Sequence, residues 1–396
     1  MTFSARLPSE RSSNRLTRAI QQARTDARPL VDLTESNPTR AGFAYPQDLL
    51  TRLTSSRGLV YEPCPFGLIE ARQAVVREYA RRGLNVDAER VVLTASTSEA
   101  YSLLFKLLAD AGDEVLVPRP SYPLFDHLTR LDLVAPKPYD LEYHGAWSID
   151  VGSVERAMTS RTRALLLVTP NNPTGSFVGR DELRRLETLC ASRGVAIIAD
   201  EVFADYELSA GAAAAGGRVT DSRDALAFSL GGLSKSVGLP QVKLAWIAAA
   251  GPAAAVAEAL ERLEIICDAY LSVSTPIQLA TPDLLDRAAD VRSQIQERIA
   301  ANHAQLVARV SAMPACSVLH SDGGWYGVVQ VPSFTSEEDL VVDLVSSAGV
   351  LAHPGFFFDF ARESYLVVSL LTPAHLFADG VERVLRHLQS LASTHD

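Results

Sequence analysis

Lysine is nearly absent. The 396 residues carry 37 basic side chains, of which only Lys106, Lys137, Lys235 and Lys243 are lysines, leaving 33 arginines. Arginine does not deprotonate in a protein and so cannot condense with a carbonyl compound. A lysine kept in such a chain raises a functional question; Lys106 and Lys137 read as ordinary surface residues. Cysteine is also scarce: Cys64, Cys190, Cys267 and Cys316 are scattered with no metal-ligand spacing. They read as reduced, partly buried thiols of a cytoplasmic protein, with no metal site. No apolar run approaches the ~20 residues of a membrane span, and the first twenty residues lack an apolar signal core. No Lys/Arg cluster offsets the net charge of −10, so no nucleic-acid-binding face is expected. An acidic surface of this kind mainly favours solubility.

What is present is apolar material, 47% of the chain. One core rarely serves more than ~250–300 residues, so a large and a smaller domain are expected. Residues 1–45 read as an N-terminal segment packing on the small domain, 46–285 as the large domain and 286–396 as the small one. Between about 70 and 250, short apolar runs alternate with amphipathic stretches. Strands are expected at 91–95, 114–117, 134–137, 164–168, 195–199, 225–229 and 243–249. Helices are expected at 99–109 and 180–193 between them. Runs such as Ala164–Val168, ALLLV, are apolar on both faces. That implies an α/β fold: a mostly parallel, doubly wound sheet with helices on both faces. One long helix, 282–311, is expected to link it to a small α+β domain with strands at 328–331 and 365–370. The Gly211–Gly217 segment, GAAAAGG, reads as a mobile surface loop.

Three expected strands end in polar residues: Asn172 in NNPTG, Asp200 in ADEVF and Lys235 in LSKSVGL. Taken alone, each is an ordinary strand-ending loop. The intervals of 28 and 35 residues each accommodate one strand–helix–strand crossover, so all three point into one cleft, where doubly wound sheets bind ligands. An amine, a buried carboxylate and an amide donor are what pyridoxal 5'-phosphate (PLP) requires. The lysine forms an imine with its aldehyde, the carboxylate keeps its ring nitrogen protonated, and the amide donates to its phenolic oxygen.

NNPTG, ADEVF and SKSVGLP, in this order, resemble the motif set of the class I/II aminotransferases of PLP fold type I. The resemblance extends over residues 30–375. It implies a phosphate-binding turn at Thr94–Ala100, with the hydroxyls of Ser96, Thr97 and Ser98 at a helix N-terminus. It gives Tyr122, in PSYP, the role of stacking on the cofactor ring. Lys243 falls where the family usually has a phosphate-binding arginine. Tyr61 resembles the tyrosine that reaches the neighbouring subunit's phosphate, which implies a homodimer. The expected reaction moves an amino group between an amino acid or amine and a 2-oxo acid by a ping-pong mechanism. A PLP-dependent lyase or decarboxylase on the same scaffold is the alternative, and a non-catalytic PLP-binding protein a further one.

Two positions depart from the family. Phe203 stands where a tyrosine usually donates to the phenolic oxygen, which is expected to alter the proton affinity of the lysine's imine. Val367, in SYLVVSLL, stands where an arginine usually clamps the substrate carboxylate. Either a relocated arginine takes over, with Arg362 and Arg40 as candidates and Asn37, in the same NPTR stretch as Arg40, also expected to bind substrate, or the substrate lacks an ordinary α-carboxylate. Phe43, Trp325 and Phe356–Phe358 are candidate pocket aromatics.

Overall fold

The computed structural model describes residues 3–8, 12–362 and 364–395. A two-residue strand, β1 (Val31–Asp32), precedes the elements of the main sheet: β2 (Val91–Thr94), β3 (Glu114–Arg119), β4 (Ala135–Tyr143), β5 (Trp147–Ile149), β6 (Thr162–Val168), β7 (Ala196–Asp200), β8 (Ala227–Gly232) and β9 (Ala245–Ala250). Their order is β2-β9-β8-β7-β6-β3-β4-β5. The central pairs are parallel, whereas β9 runs antiparallel to both neighbours and β5 antiparallel to β4.

Alternate residues of these strands enter separate cores. Leu165, Leu167, Ile197 and Ala199 pack on one side, and Leu166, Val168, Ile198 and Phe228 on the other. Both faces are therefore covered, as the unbroken apolar runs required, and each fully buried leucine or isoleucine stabilises the sheet by ~1.5–3 kcal/mol. The crossover helix Arg180–Arg193 has clear ends. Glu182 accepts the Gly179 backbone N–H at 3.0 Å, and Gly194 closes the helix at φ 64°, a left-handed conformation that suits glycine.

The smaller sheet has the order β10-β11-β14-β13, from β10 (Ser317–Val318), β11 (Tyr326–Gln330), β13 (His353–Pro354) and β14 (Tyr365–Ser369). Between these, β12 (Val350–Leu351) pairs with β1 in a separate two-stranded sheet, which holds the N-terminal segment against this part of the chain. The single long helix expected over 282–311 is two helices, Thr275–Arg287 and Ala289–Val310, with Ala288 serving as the end of one and the start of the other. The apolar periodicity continues across the break, so the sequence pattern does not register it. The GAAAAGG segment is likewise not a free loop. Ala212–Ala215 form a helical turn, and a Cβ on Gly217 would lie 2.6 Å from the Leu183 side chain. Close packing, rather than mobility, calls for glycine there.

Two loops of the smaller sheet's region reach the strand ends of the large one. The Asp322 N–H donates to the Gly175 carbonyl at 3.2 Å, and the Ser121 N–H to the Phe358 carbonyl at 2.9 Å. No helix among the described residues is long and apolar enough to cross a membrane.

Candidate active site

The carboxyl ends of β6, β7 and β8 are neighbours in the sheet and carry Asn172, Asp200 and Lys235 in the segments at or just after them. Asp200 closes β7. Its Oδ1 accepts the Val202 N–H at 3.1 Å, and its Oδ2 accepts the Tyr101 hydroxyl at 3.1 Å. Loss of hydration pushes its carboxyl up to about 6, against the opposing pull of these donors and of Lys235. Lys235 lies in a single helical turn after β8. Loss of hydration lowers its amine to about 8, and the Asp200 charge holds it from falling further. The ammonium sits 4.9 Å from the centre of the Trp325 ring and 5.7 Å from that of Phe203, in range for a cation–π contact. These two rings meet edge to face at 5.2 Å, and Tyr206 meets Trp325 at the same distance. The Tyr206 hydroxyl donates to the Lys235 carbonyl at 2.6 Å. Tyr206 therefore holds the backbone of the lysine turn and does not replace the hydroxyl that Phe203 lacks.

Nine buried side-chain polar atoms lack hydrogen-bond partners among the described residues, and three of them belong to these strand-end segments or to the ring over Lys235. The three are Asn172 Oδ1, Ser236 Oγ and the Trp325 indole N–H. An unmet buried polar group costs about 1–3 kcal/mol, so Asn172 Oδ1 and the N–H of the Trp325 ring over Lys235 are places where a ligand would supply the missing partner. Their donor and acceptor chemistry, with an amine and a carboxylate of shifted pKa, fits a carbonyl-bearing heterocycle such as PLP.

At the edge of this group the helix Thr97–Leu108 begins. The Ser96 hydroxyl accepts the Glu99 N–H at 3.1 Å, and the Glu99 carboxylate accepts the Ala95 N–H at 2.5 Å. Ser96 is thus the helix cap, with its own proton still available. Thr97 and Ser98 are partly buried in the first turn, where the helix dipole favours an anion. Tyr122 is 44% exposed, and the Asp200 charge adds to the effect of burial in raising its pKa, so the two lie close together. Lys243 is exposed on the approach to β9. Tyr61 is 65% exposed beside Leu59 and Val60, which are also exposed. Among the described residues no cluster of three or more His, Cys, Asp or Glu is placed to hold a metal ion.

The residues named for the substrate are more dispersed. Asn37 Oδ1 is engaged in a turn, accepting the N–H and hydroxyl of Thr39 at 3.0 and 2.7 Å. Arg40 and Arg362 are exposed. Phe43 packs under the Arg298 guanidinium at 5.1 Å, and Phe356 is about half exposed. Val367 is fully buried, paired with Val328 on one side and His353 on the other. Sequence reasoning missed Tyr101. Its signal was available, since Tyr101 lies four residues after Thr97 and so on the same helix face.

Residues 35–384 match the family model described as aminotransferase class I and II. Alanine aminotransferase of Mycobacterium tuberculosis is 26% identical over 375 residues, covering 91% of this chain and 86% of the relative. Glutamate-pyruvate aminotransferase AlaA of Haemophilus influenzae is 25% identical, covering 91% and 90%. Among solved structures, an alanine aminotransferase from Pyrococcus furiosus superposes with a TM-score of 0.85 at 22% identity, covering 96% of this chain and all of that one. The chain belongs to the class I and II aminotransferases and is a transaminase.

Proposed function

We propose that this transaminase carries PLP on Lys235 and moves an amino group between an α-amino acid and a 2-oxo acid in ping-pong order. The observation that supports this most is the convergence of the Lys235 amine, the Asp200 carboxyl and Asn172, whose Oδ1 has no partner, at three adjacent strand ends. PLP supplies an electron sink for the negative charge that develops on the substrate carbon. Asp200, mostly ionised at pH 7 with its carboxyl at about 6, holds the ring-nitrogen proton. Asn172 orients the phenolic oxygen, Tyr122 covers the ring, and Ser96, Thr97, Ser98 and Lys243 receive the phosphate. Lys235, at about 8, keeps about a tenth of its amine neutral at pH 7. It can therefore both take a proton from the substrate carbon and return one. Asn37, Arg40 and Arg362 are assigned to the substrate; the two arginines have no ion-pair partner among the described residues.

Tyr61 is assigned to the phosphate of a second subunit. Its exposure together with Leu59 and Val60 supports a homodimer that covers this tract. The relatives named for alanine and for glutamate–pyruvate transfer make small amino acid and 2-oxo acid pairs the first to try. The test is product analysis of PLP-loaded protein supplied with a panel of such pairs. The reading expects matched oxo and amino products in equal amounts with no free ammonia. Ammonia release from a single substrate would refute it.

A further inference from the structure

The small sheet has two faces, which its register separates. A Cβ on Gly327 would lie 2.7 Å from the Leu306 side chain, so the face containing Gly327, Leu366 and Val368 packs on the helix Ala289–Val310. The other face carries Tyr326, Val328, Val367, Ser369 and His353. It turns toward the strand ends of the large sheet. Burial pushes the Tyr326 phenol up to about 12, with the charges of Tyr122 and Glu35 adding to the shift and Ser36 opposing it. Tyr326 therefore looks across to Tyr122 and to the N-terminal segment, and its neighbour Trp325 contacts Lys235.

On that face His353 is the one strand residue able to carry a positive charge. Paired residues of an antiparallel ladder share a face with Cβ atoms about 4.5–5.5 Å apart. The imidazole thus lies beside the side chain of position 367, where Val367 brings no charge. The ring contacts Phe358 at 5.7 Å and Phe357 at 6.0 Å. Phe358 in turn touches the Tyr326 ring at 6.2 Å and accepts the Ser121 N–H beside Tyr122. The His353 backbone pairs with β14, while its imidazole has no side-chain hydrogen bond or ion pair among the described residues. Burial lowers the His353 pKa and favours the neutral ring, whose N–H can still donate, and the Asp32 charge opposes this only in part.

We propose that His353 is a specificity-determining residue that receives the substrate carboxylate through a single imidazole donor, in the space where Val367 provides none. The proposal rests on the transamination reading above. A single donor replaces a two-pronged guanidinium, so the carboxylate is held less tightly and in a less fixed direction. Arg40 and Arg362 then remain for groups farther out on the substrate.

The test compares wild-type holoenzyme with His353→Ala and the sterically milder His353→Asn. Each is mixed with L-alanine or ethylamine, and with L-phenylalanine or 2-phenylethylamine, pairs that differ only in the carboxylate. The readout is conversion of the cofactor absorbance, together with calorimetric binding of propanoate and 3-phenylpropanoate, which cannot react. His353→Ala is expected to lower the preference for amino acid over amine by about tenfold to a hundredfold, the range for one hydrogen bond to a charged group. It should weaken carboxylate binding by a similar factor, with His353→Asn intermediate. An unchanged preference and unchanged carboxylate binding would overturn the proposal. Carboxylate binding that depends on His353 in a protein whose absorbance no donor converts would support the site while refuting the transamination reading.

Discussion

Lys235 is a base set by its surroundings. Water is excluded from its amine by Trp325 and Phe203, which lowers its pKa from 10.5 to about 8, and Asp200 limits the drop. Because only the neutral amine attacks an aldehyde, the rate at which cofactor-free protein takes up PLP should rise about tenfold per pH unit below pH 8 and level off above it. Stopped-flow absorbance would show this. A rate still climbing steeply at pH 10 would mean that the amine is not shielded as described. The Tyr101 bond to Asp200 works at the same scale by favouring the ionised carboxylate. Phe203 offers the cofactor's oxygen no hydroxyl, and the Tyr206 hydroxyl is committed to the Lys235 and Ser236 carbonyls.

At the scale of elements, the Asn172 turn is held from outside. Gly175 has φ 72°, and a Cβ there would lie 1.8 Å from Ser321 Oγ and 2.4 Å from the Gly323 carbonyl. Gly112 has φ 90° with open space around it. Gly175→Ala should therefore destabilise the protein by at least about 2 kcal/mol, from overpacking and left-handed strain together, whereas Gly112→Ala should lose only the strain, about 1 kcal/mol. Chemical denaturation of the two variants would decide; equal losses would mean that Ser321 and Gly323 yield easily.

The same elements indicate what the sequence made legible. The main strands were readable because burial on both faces leaves an uninterrupted apolar run, as in Ala164–Val168. Asn172, Asp200 and Lys235 were readable because polar residues ending such runs need a reason to be there. Strands of two or three residues, β1, β5, β10, β12 and β13, carry too little periodicity to stand out. His353 was invisible for that reason, since its relation to Val367 exists only once β13 pairs with β14. The break at Ala288 was hidden by a helical repeat that runs through it.

At the scale of the whole molecule, an exposed apolar tract at Leu59, Val60 and Tyr61 calls for a covering surface. If a second copy covers it and Tyr61 serves that copy's site, two defective variants should complement each other. Mixing equal amounts of Tyr61→Ala and Lys235→Ala under exchange conditions should restore activity to about a quarter of wild type, because half the dimers are hybrids with one intact site of two. No recovery, with dimers verified by sedimentation, would place Tyr61 outside the partner's site.

The central claim is that Lys235 carries the cofactor that performs amino transfer. Its most direct test is the absorbance spectrum of the purified, PLP-supplemented protein, with amino donors titrated in one at a time. The account predicts a band of lysine-bound cofactor that an amino donor converts to the aminated form and a 2-oxo acid restores. Lys235→Ala should lack the lysine-bound band. The same band in Lys235→Ala, or none in the wild-type protein, would contradict the account.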